Sequence, residues 1–116
     1  MGIDQDLRSG STTILVLALL QEGPMYGYQI VKELARRSGG YFQFKEGTLY
    51  PALHRMERDG LIAPEWREEG RGPPRKYYVL TERGRAELGQ SAEAWRTFSR
   101  KLLDMLGDAP PAPEGA

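Results

Sequence analysis

Cysteine is absent from the 116-residue chain, and histidine occurs once, at His54. Without thiols the chain cannot form disulfides, zinc–thiolate sites or a cysteine nucleophile. One histidine also leaves no set of nucleophile, base and orienting group, and a metal site needs three or four ligands. We therefore expect a protein that is not an enzyme and that uses no metal and no cofactor.

Long apolar runs are missing as well. The longest, residues 14–20, is too short to span a bilayer, and it lacks the basic flank and the small-residue cleavage site of a signal peptide. Hydrophobic residues make up 40% of the chain and charged residues 28%, which are ordinary values for one folded domain. These features predict a cytoplasmic protein without a membrane partner.

An excess of charge of either sign is also lacking, because 16 basic and 16 acidic side chains cancel. The distribution is uneven, however. Residues 30–76 carry ten Lys or Arg and seven Asp or Glu, a net charge of +3, whereas residues 1–29 carry −2 and residues 77–116 carry −1. Positive charge in the middle of the chain permits a phosphate-binding face there.

Hydrophobic periodicity and turn residues predict the order helix, helix, helix, hairpin, helix. The predicted helices cover residues 7–21, 26–37, 47–59 and 81–106, and the predicted hairpin strands cover 61–66 and 76–80. Aromatic alternation at 41–45 predicts a very short additional strand. The expected fold class is mostly α with a β-hairpin, a winged helix-turn-helix followed by a C-terminal dimerisation helix.

The same pattern predicts the domain organisation. We expect a flexible N terminus at 1–6, a winged helix-turn-helix domain at 7–80, a dimerisation helix at 81–107 and a disordered tail at 108–116. In a winged helix the third helix fits the major groove of DNA, and the hairpin, or wing, approaches the phosphate backbone. The wing loop at 67–75, rich in Gly, Pro and Arg, suits that role.

Three collinear segments of the chain resemble the PadR family of transcriptional regulators. They are GPMYGYQI at 23–30, GTLYPALHRMERDGLI at 47–62 and RKYYVLTERG at 75–84. The short C-terminal part is similar to the small subfamily, which has a single helix after the wing. The resemblance implies a dimeric bacterial or archaeal repressor that binds a double-stranded DNA operator and releases it when an effector binds.

The resemblance also implies roles for matching residues. The start of the second helix would lie near the phosphate backbone, the start of the third helix would face the bases, and the wing would contact phosphates. The residues expected to contact DNA are Tyr26, Gly27, Tyr28, Lys32, Thr48, Tyr50, Pro51, His54, Arg55, Arg71, Arg75 and Lys76.

Some of these residues have alternative interpretations. Tyr50 is also suited to a place in the core, and Arg55 and Arg58 to solvated pairs with acidic neighbours. Two positions depart from the family pattern. Lys45 and Glu46 replace the small polar residue that often caps the third helix, and prolines at 73 and 74 stiffen the wing tip.

The last predicted helix carries an apolar stripe. Trp95, Phe98, Leu102 and Met105 are spaced three, four and three residues apart, and Leu88, Ala92 and Leu106 flank the same side. So short a chain offers no partner for this stripe, which predicts a two-fold homodimer. In similar family members aromatic residues of this helix stack against planar compounds, so a planar aromatic or hydrophobic effector at Trp95, Phe98 and Ala92 is one hypothesis. Simple packing of Trp95 in the dimer core is the other.

Two other functions compete with regulation through DNA. The near-neutral charge also suits a winged-helix module that binds a protein partner without binding DNA. A small enzyme is a third hypothesis, although no catalytic set supports it.

Overall fold

The computed structural model describes residues 10–109. The predicted flexible N terminus, the first residues of the predicted first helix (7–9) and most of the predicted tail (110–116) lie outside these residues. No helix within residues 10–109 has both the length and the apolar character needed to cross a membrane.

The described residues form four helices and three strands. In chain order these are α1 (Thr12–Leu20), β1 (Met25–Tyr26), α2 (Gly27–Arg37), α3 (Glu46–Arg58), β2 (Ile62–Arg67), β3 (Arg75–Leu80) and α4 (Glu82–Leu106). Three helices, a β-hairpin and a long last helix follow one another as the sequence predicts. The predicted fold class, mostly α with a β-hairpin, is confirmed.

The sheet has one strand more than the hairpin. Its order is β1-β3-β2, with both pairs antiparallel. In β1, Met25 lies opposite Tyr78 and Tyr26 lies opposite Tyr77. Tyr26 therefore closes a strand and does not begin a helix as the sequence suggested, and its backbone is extended (φ −90°, ψ 164°) where α2 starts. Its N–H donates to the Gln29 side-chain oxygen at 3.4 Å.

The short strand predicted at 41–45 is wrong, because this stretch is irregular. Its aromatic rings alternate for another reason. Phe44 is buried, and Phe42 packs against the core with its ring parallel to that of Phe44, the ring centroids 6.3 Å apart. Just before this segment, the Ser38 hydroxyl donates to Leu34 O at the end of α2 and accepts from Phe42 N. Packing in the core, without strand pairing, accounts for the period of two.

The core lies around α1, whose side chains are apolar on all sides. Val16 and Leu17 are completely buried in it. The other elements each contribute the buried face that their periodicity predicts. The principal contributors are Ile30 and Leu34 of α2, Leu49, Leu53 and Met56 of α3, Ile62 and Tyr78 of the sheet, and Leu88 of α4.

A tight junction joins α3, β2 and the start of α4. Gly60 turns the chain after α3 with φ +79°, a value that glycine adopts without strain. The Thr81 hydroxyl lies 2.6 Å from Gly60 O and 2.9 Å from Leu61 O, and it accepts from Gly84 N at 2.9 Å. A methyl group added to Gly84 would lie 2.1 Å from Leu61 O. Helix α4 therefore begins directly against the backbone of the preceding turn.

The rest of α4 leaves the core. Within this helix only Gly84 and Leu88 are buried. The large apolar residues of its second half are exposed, namely Phe98, Leu102, Leu103, Met105 and Leu106. The chain measures 55 Å along its longest axis, with a radius of gyration of 16.7 Å, whereas a compact chain of about 100 residues has about 13 Å. Helix α4 therefore projects away from the core with an uncovered apolar stripe.

Candidate nucleic-acid interface

A shallow depression lies where the start of α2, the outer face of α3 and strand β3 meet. We call it the tyrosine depression. It is lined by Tyr26, Gly27, Tyr28, Tyr50, His54, Arg75, Lys76 and Tyr78. All of these residues except Tyr78 are among those that the sequence predicts to contact DNA. Residues far apart in sequence are therefore collected on one surface.

The floor of the tyrosine depression is the contact between Gly27 and Tyr50. A Cβ atom at Gly27 would lie 2.4 Å from Cε1 of the Tyr50 ring, so α3 lays this ring on the first turn of α2 in a space that only glycine leaves open. Tyr50 is half-buried and packs against the core. Burial, helped by the Glu46 and Tyr78 side chains, raises the pKa of the Tyr50 hydroxyl. The hydroxyl therefore stays protonated at neutral pH and is able to donate.

Arg75 forms the wing side of the depression. Its guanidinium carbon lies 4.3 Å from the centroid of the Tyr26 ring, and it pairs with Glu69 at 3.5 Å. The Tyr77 hydroxyl also donates to Glu69, and the Arg67 guanidinium stands 4.5 Å from the Tyr77 ring centroid. Tyr26 and Tyr77 meet edge to face, 5.4 Å apart, so each of the two guanidinium groups packs on one ring of a tyrosine pair that joins the hairpin to the start of α2.

Lys76 is placed differently from Arg75, although both were predicted as wing contacts. Its ammonium pairs with Glu57 of α3 at 3.0 Å. Although partial burial acts to lower the pKa of Lys76, its pairing with the Glu57 carboxylate and the nearby Tyr78 raise it. Lys76 therefore remains charged and faces α3.

The other predicted residues of α3 lie on its exposed face. Thr48, Pro51, His54 and Arg55 are exposed, whereas the opposite face is buried in the core. Neither Arg55 nor Arg58 forms an ion pair with another described residue, and Glu57 pairs with Lys76 instead. Within residues 10–109 no group of three His, Asp or Glu side chains is placed to hold a metal ion. The outer face of α3 is therefore available to a partner.

Lys32 and Arg71 complete the predicted set and lie outside the depression. Lys32 is exposed on α2 with its ammonium 5.5 Å from the Tyr28 ring centroid. Arg71 is exposed at the wing tip beside the two prolines, without an ion pair to any residue the structure describes. Lys45, which precedes α3 in place of the usual small polar residue, makes no side-chain capping hydrogen bond. Its carbonyl oxygen accepts from Thr48 N and Leu49 N, each at 2.9 Å.

The predicted dimer and effector residues follow α4 outward from the core. Leu88 is buried within its own chain, which removes it from the surface that a partner meets, against our expectation. Ala92 and Trp95 are half-buried, and the rings of Trp95 and Phe98 meet edge to face at 6.0 Å beside a small hollow. The stripe continues outward through the exposed residues Phe98, Leu102, Met105 and Leu106.

Known proteins share both this sequence pattern and this fold. The sequence profile of the Transcriptional regulator PadR-like family matches residues 16–90. A transcriptional regulator of Mycobacterium tuberculosis is 31% identical over 99 residues, which cover 85% of this chain and 89% of the relative. The structure of a transcriptional regulator from Clostridium thermocellum superposes with a TM-score of 0.80 at 31% identity, covering 88% of this chain and 99% of that one.

One similar structure includes nucleic acid. Bacillus subtilis PadR, solved in complex with operator DNA, superposes with a TM-score of 0.61 at 26% identity. The match covers 90% of this chain and 51% of that chain. The similarity therefore extends over nearly all of this chain and about half of the longer regulator.

Proposed function

Because this chain belongs to the Transcriptional regulator PadR-like family, whose members are regulators and not enzymes, we propose that it is a homodimeric, sequence-specific DNA-binding regulator. The observation that carries the proposal is the tyrosine depression, which gathers predicted DNA contacts from α2, α3 and the wing on one surface. The complex of Bacillus subtilis PadR with operator DNA supports it. A cytoplasmic location follows from this target.

Each wall of the depression has a distinct task in the proposed complex. The exposed face of α3, with Thr48 and Tyr50, meets base edges in the major groove. The start of α2 turns the positive end of its helix dipole and the Tyr26 and Tyr28 hydroxyls towards phosphates. Arg75 adds a cation from the wing. Base contacts thereby provide sequence preference, and the other two walls provide affinity and orientation.

Regulation by a small molecule is a finer part of the proposal. We assign repression to the operator-bound dimer, and release to a planar aromatic or hydrophobic effector that stacks near Trp95, Phe98 and Ala92 where two α4 helices meet. The support is the pair of edge-to-face rings beside an open hollow on α4, because indole and phenyl faces pair well with flat ligands.

The test is a titration of fluorescently labelled DNA, taken from the region upstream of the protein's own gene, followed by anisotropy at two salt concentrations. We expect tight, salt-sensitive binding that unrelated DNA does not match. Weak binding that is equal on all sequences would instead favour a winged-helix module for a protein partner. Effector release is scored in the same assay by adding planar aromatic compounds and following Trp95 quenching.

Replacing Arg75 with alanine should weaken binding about equally on operator and unrelated DNA. One phosphate contact is lost, so the slope of log K against log salt should fall in magnitude by about one. The control is Arg96→Ala, which removes the same charge from an exposed position on α4, far from the depression. An Arg75→Ala slope that equals the wild-type slope would remove Arg75 from the contact set.

Replacing Gly27 with alanine should damage recognition without unfolding the chain. The added methyl lies 2.4 Å from the Tyr50 ring, and the ring, as the free end of a side chain, swings away. Operator affinity is expected to fall about tenfold, the size of one lost specific contact, with a smaller effect on the melting temperature, because the half-buried ring loses only part of its packing. In a Tyr50→Ala background the three atoms nearest to the added methyl are gone, so Gly27→Ala should cost nothing more. A tenfold loss in that background as well would disprove this explanation.

A further inference from the structure

The Lys76 ammonium lies at the centre of a polar contact between α3 and the wing. It is 3.0 Å from Glu57 Oε1, 5.2 Å from the Tyr78 ring centroid and 6.0 Å from the Trp66 ring centroid. Trp66 lies directly across the hairpin from Lys76. One cation therefore touches the last turn of α3 and both strands of the wing.

The register of the hairpin explains this convergence. Residues 76 and 78 of β3 lie on the same face of the sheet, and so does Trp66 of β2. This face turns towards α3, where Tyr78 is buried in the core. Further out, the residues of β2 from Pro64 onward are exposed. Among the described residues, the pair Lys76–Glu57 is the ion pair that ties the outer half of the hairpin to α3.

Lys76 and Arg75 are consequently suited to different tasks. The Lys76 side chain is 28% exposed and Glu57 is 31% exposed, whereas the Arg75 side chain is 50% exposed. Moving the Lys76 ammonium to a phosphate would leave the partly buried Glu57 carboxylate without its counter-ion, which is costly. Arg75 lies on the opposite face of β3 and gives up only a more exposed contact with Glu69.

We infer that Glu57 is a positioning residue, which holds the wing at a fixed angle to α3 through Lys76, and that Lys76 braces the interface and does not contact a phosphate. The inference rests on the proposed function and adds to it. It divides the wing cations into Arg75, which contacts DNA, and Lys76, which sets the position from which Arg75 reaches it.

The proposal is tested with Glu57→Gln, Lys76→Met and the double variant, titrated with the operator DNA over a range of salt concentrations. Each single variant should weaken specific binding about tenfold, because a loosened wing must be ordered on binding. The salt slope should stay unchanged, because Arg75 still makes its phosphate contact from the loosened wing. The double variant should be no weaker than either single variant, because a shared contact is lost only once. The matched control is Glu65→Gln, which removes the same charge from the same hairpin and is paired with Arg67. It should bind at least as tightly as the wild type.

Two outcomes would contradict the proposal. If Lys76 contacts a phosphate, Lys76→Met lowers the salt slope by about one, and Glu57→Gln tightens binding by releasing the lysine and removing a negative charge. Either observation overturns the proposal. A Lys76→Arg variant, which keeps the ion pair, should retain most of the affinity, and Lys76→Gln replaces Lys76→Met if that variant does not fold.

A measurement without DNA separates this inference from the proposed function. The chain has two tryptophans, so in a Trp95→Phe background Trp66 reports on the wing alone. Within that background, Glu57→Gln and Lys76→Met should both give faster local motion in the time-resolved anisotropy of Trp66, whereas Glu65→Gln should not. Faster motion in a protein that binds no DNA specifically would refute the proposed function and leave the brace intact. Unchanged motion in both variants would refute the brace.

Discussion

Replacing Gly84 with alanine is expected to lower the free energy of unfolding by about 2 kcal/mol or more, as overpacked sites typically do. The new methyl would stand 2.1 Å from Leu61 O and 2.8 Å from Leu80 Cδ1. The end of the leucine side chain can rotate, but the carbonyl belongs to the backbone of the turn that Thr81 caps. The start of α4 must therefore move, and the hydrogen bond from Gly84 N to Thr81 is strained with it.

Thermal unfolding at equal protein concentration measures this effect, and the melting temperature should fall by roughly 10 °C. Gly89 provides the control, because it lies in the same helix with nothing within 4 Å of an added methyl. There alanine should stabilise the helix by up to about 1 kcal/mol, since glycine is the poorer helix former. Equal melting temperatures for the two variants would show that α4 does not press on the turn.

Replacing Leu102 with glutamate should convert the proposed homodimer to a monomer and reduce operator affinity by on the order of 100-fold, because binding at the second half-site would then no longer be linked to binding at the first. Leu102 lies in the middle of the exposed stripe of α4, between Phe98 and Met105. The described residues of the stripe are apolar, so a carboxylate buried between two such stripes would have no cation to pair with. Burying an unpaired charge is costly, and association therefore becomes unfavourable.

Sedimentation velocity gives the oligomeric state of this variant, and anisotropy titration gives its affinity for DNA. Arg100→Gln is the matched control, since it also makes the net charge more negative by one, but on the side of α4 away from the stripe. It should remain dimeric. A Leu102→Glu protein that sediments as a dimer would place the dimer interface elsewhere on the chain.

The helices were predictable from the sequence, because their apolar residues recur at helical spacing. The stripe of Leu49, Leu53 and Met56 indicates α3 within one residue at each end, and the cap at Thr81 and the stop at Gly107 give the limits of α4. These features are local, because a helix makes its hydrogen bonds within its own segment. The three collinear resemblances then indicated which helix faces were free, and the exposed positions on α3 agree with them.

Strand pairing was less predictable, because it depends on residues far apart in the sequence. Strand β1 is two residues long and exists only because β3 lies beside it, so Met25 and Tyr26 show no periodicity of their own. The reverse error occurred at 41–45, where aromatic residues alternate but no strand lies beside them. In both places the tertiary environment decides the conformation.

The site shows the same limit. Seven lining residues of the tyrosine depression were expected, but Tyr78 was missed because the sequence does not indicate what the face of β3 that carries it packs against. The pairing of Lys76 with Glu57 was missed for the same reason. Alternation along β3 was an available signal, since it puts residues 76 and 78 on one face, yet it does not say which helix that face meets.

Tyr26 belongs to two elements, because it ends β1 and immediately precedes α2. Its backbone pairs with that of Tyr77 in the wing strand, so the wing and the second helix are joined through main-chain hydrogen bonds as well as side chains. A duplex that docks here meets a preformed surface. The conformational entropy that the protein must still lose on binding is confined mainly to the loop at 68–74 and to side chains. Little of the interaction energy is then spent on ordering the protein.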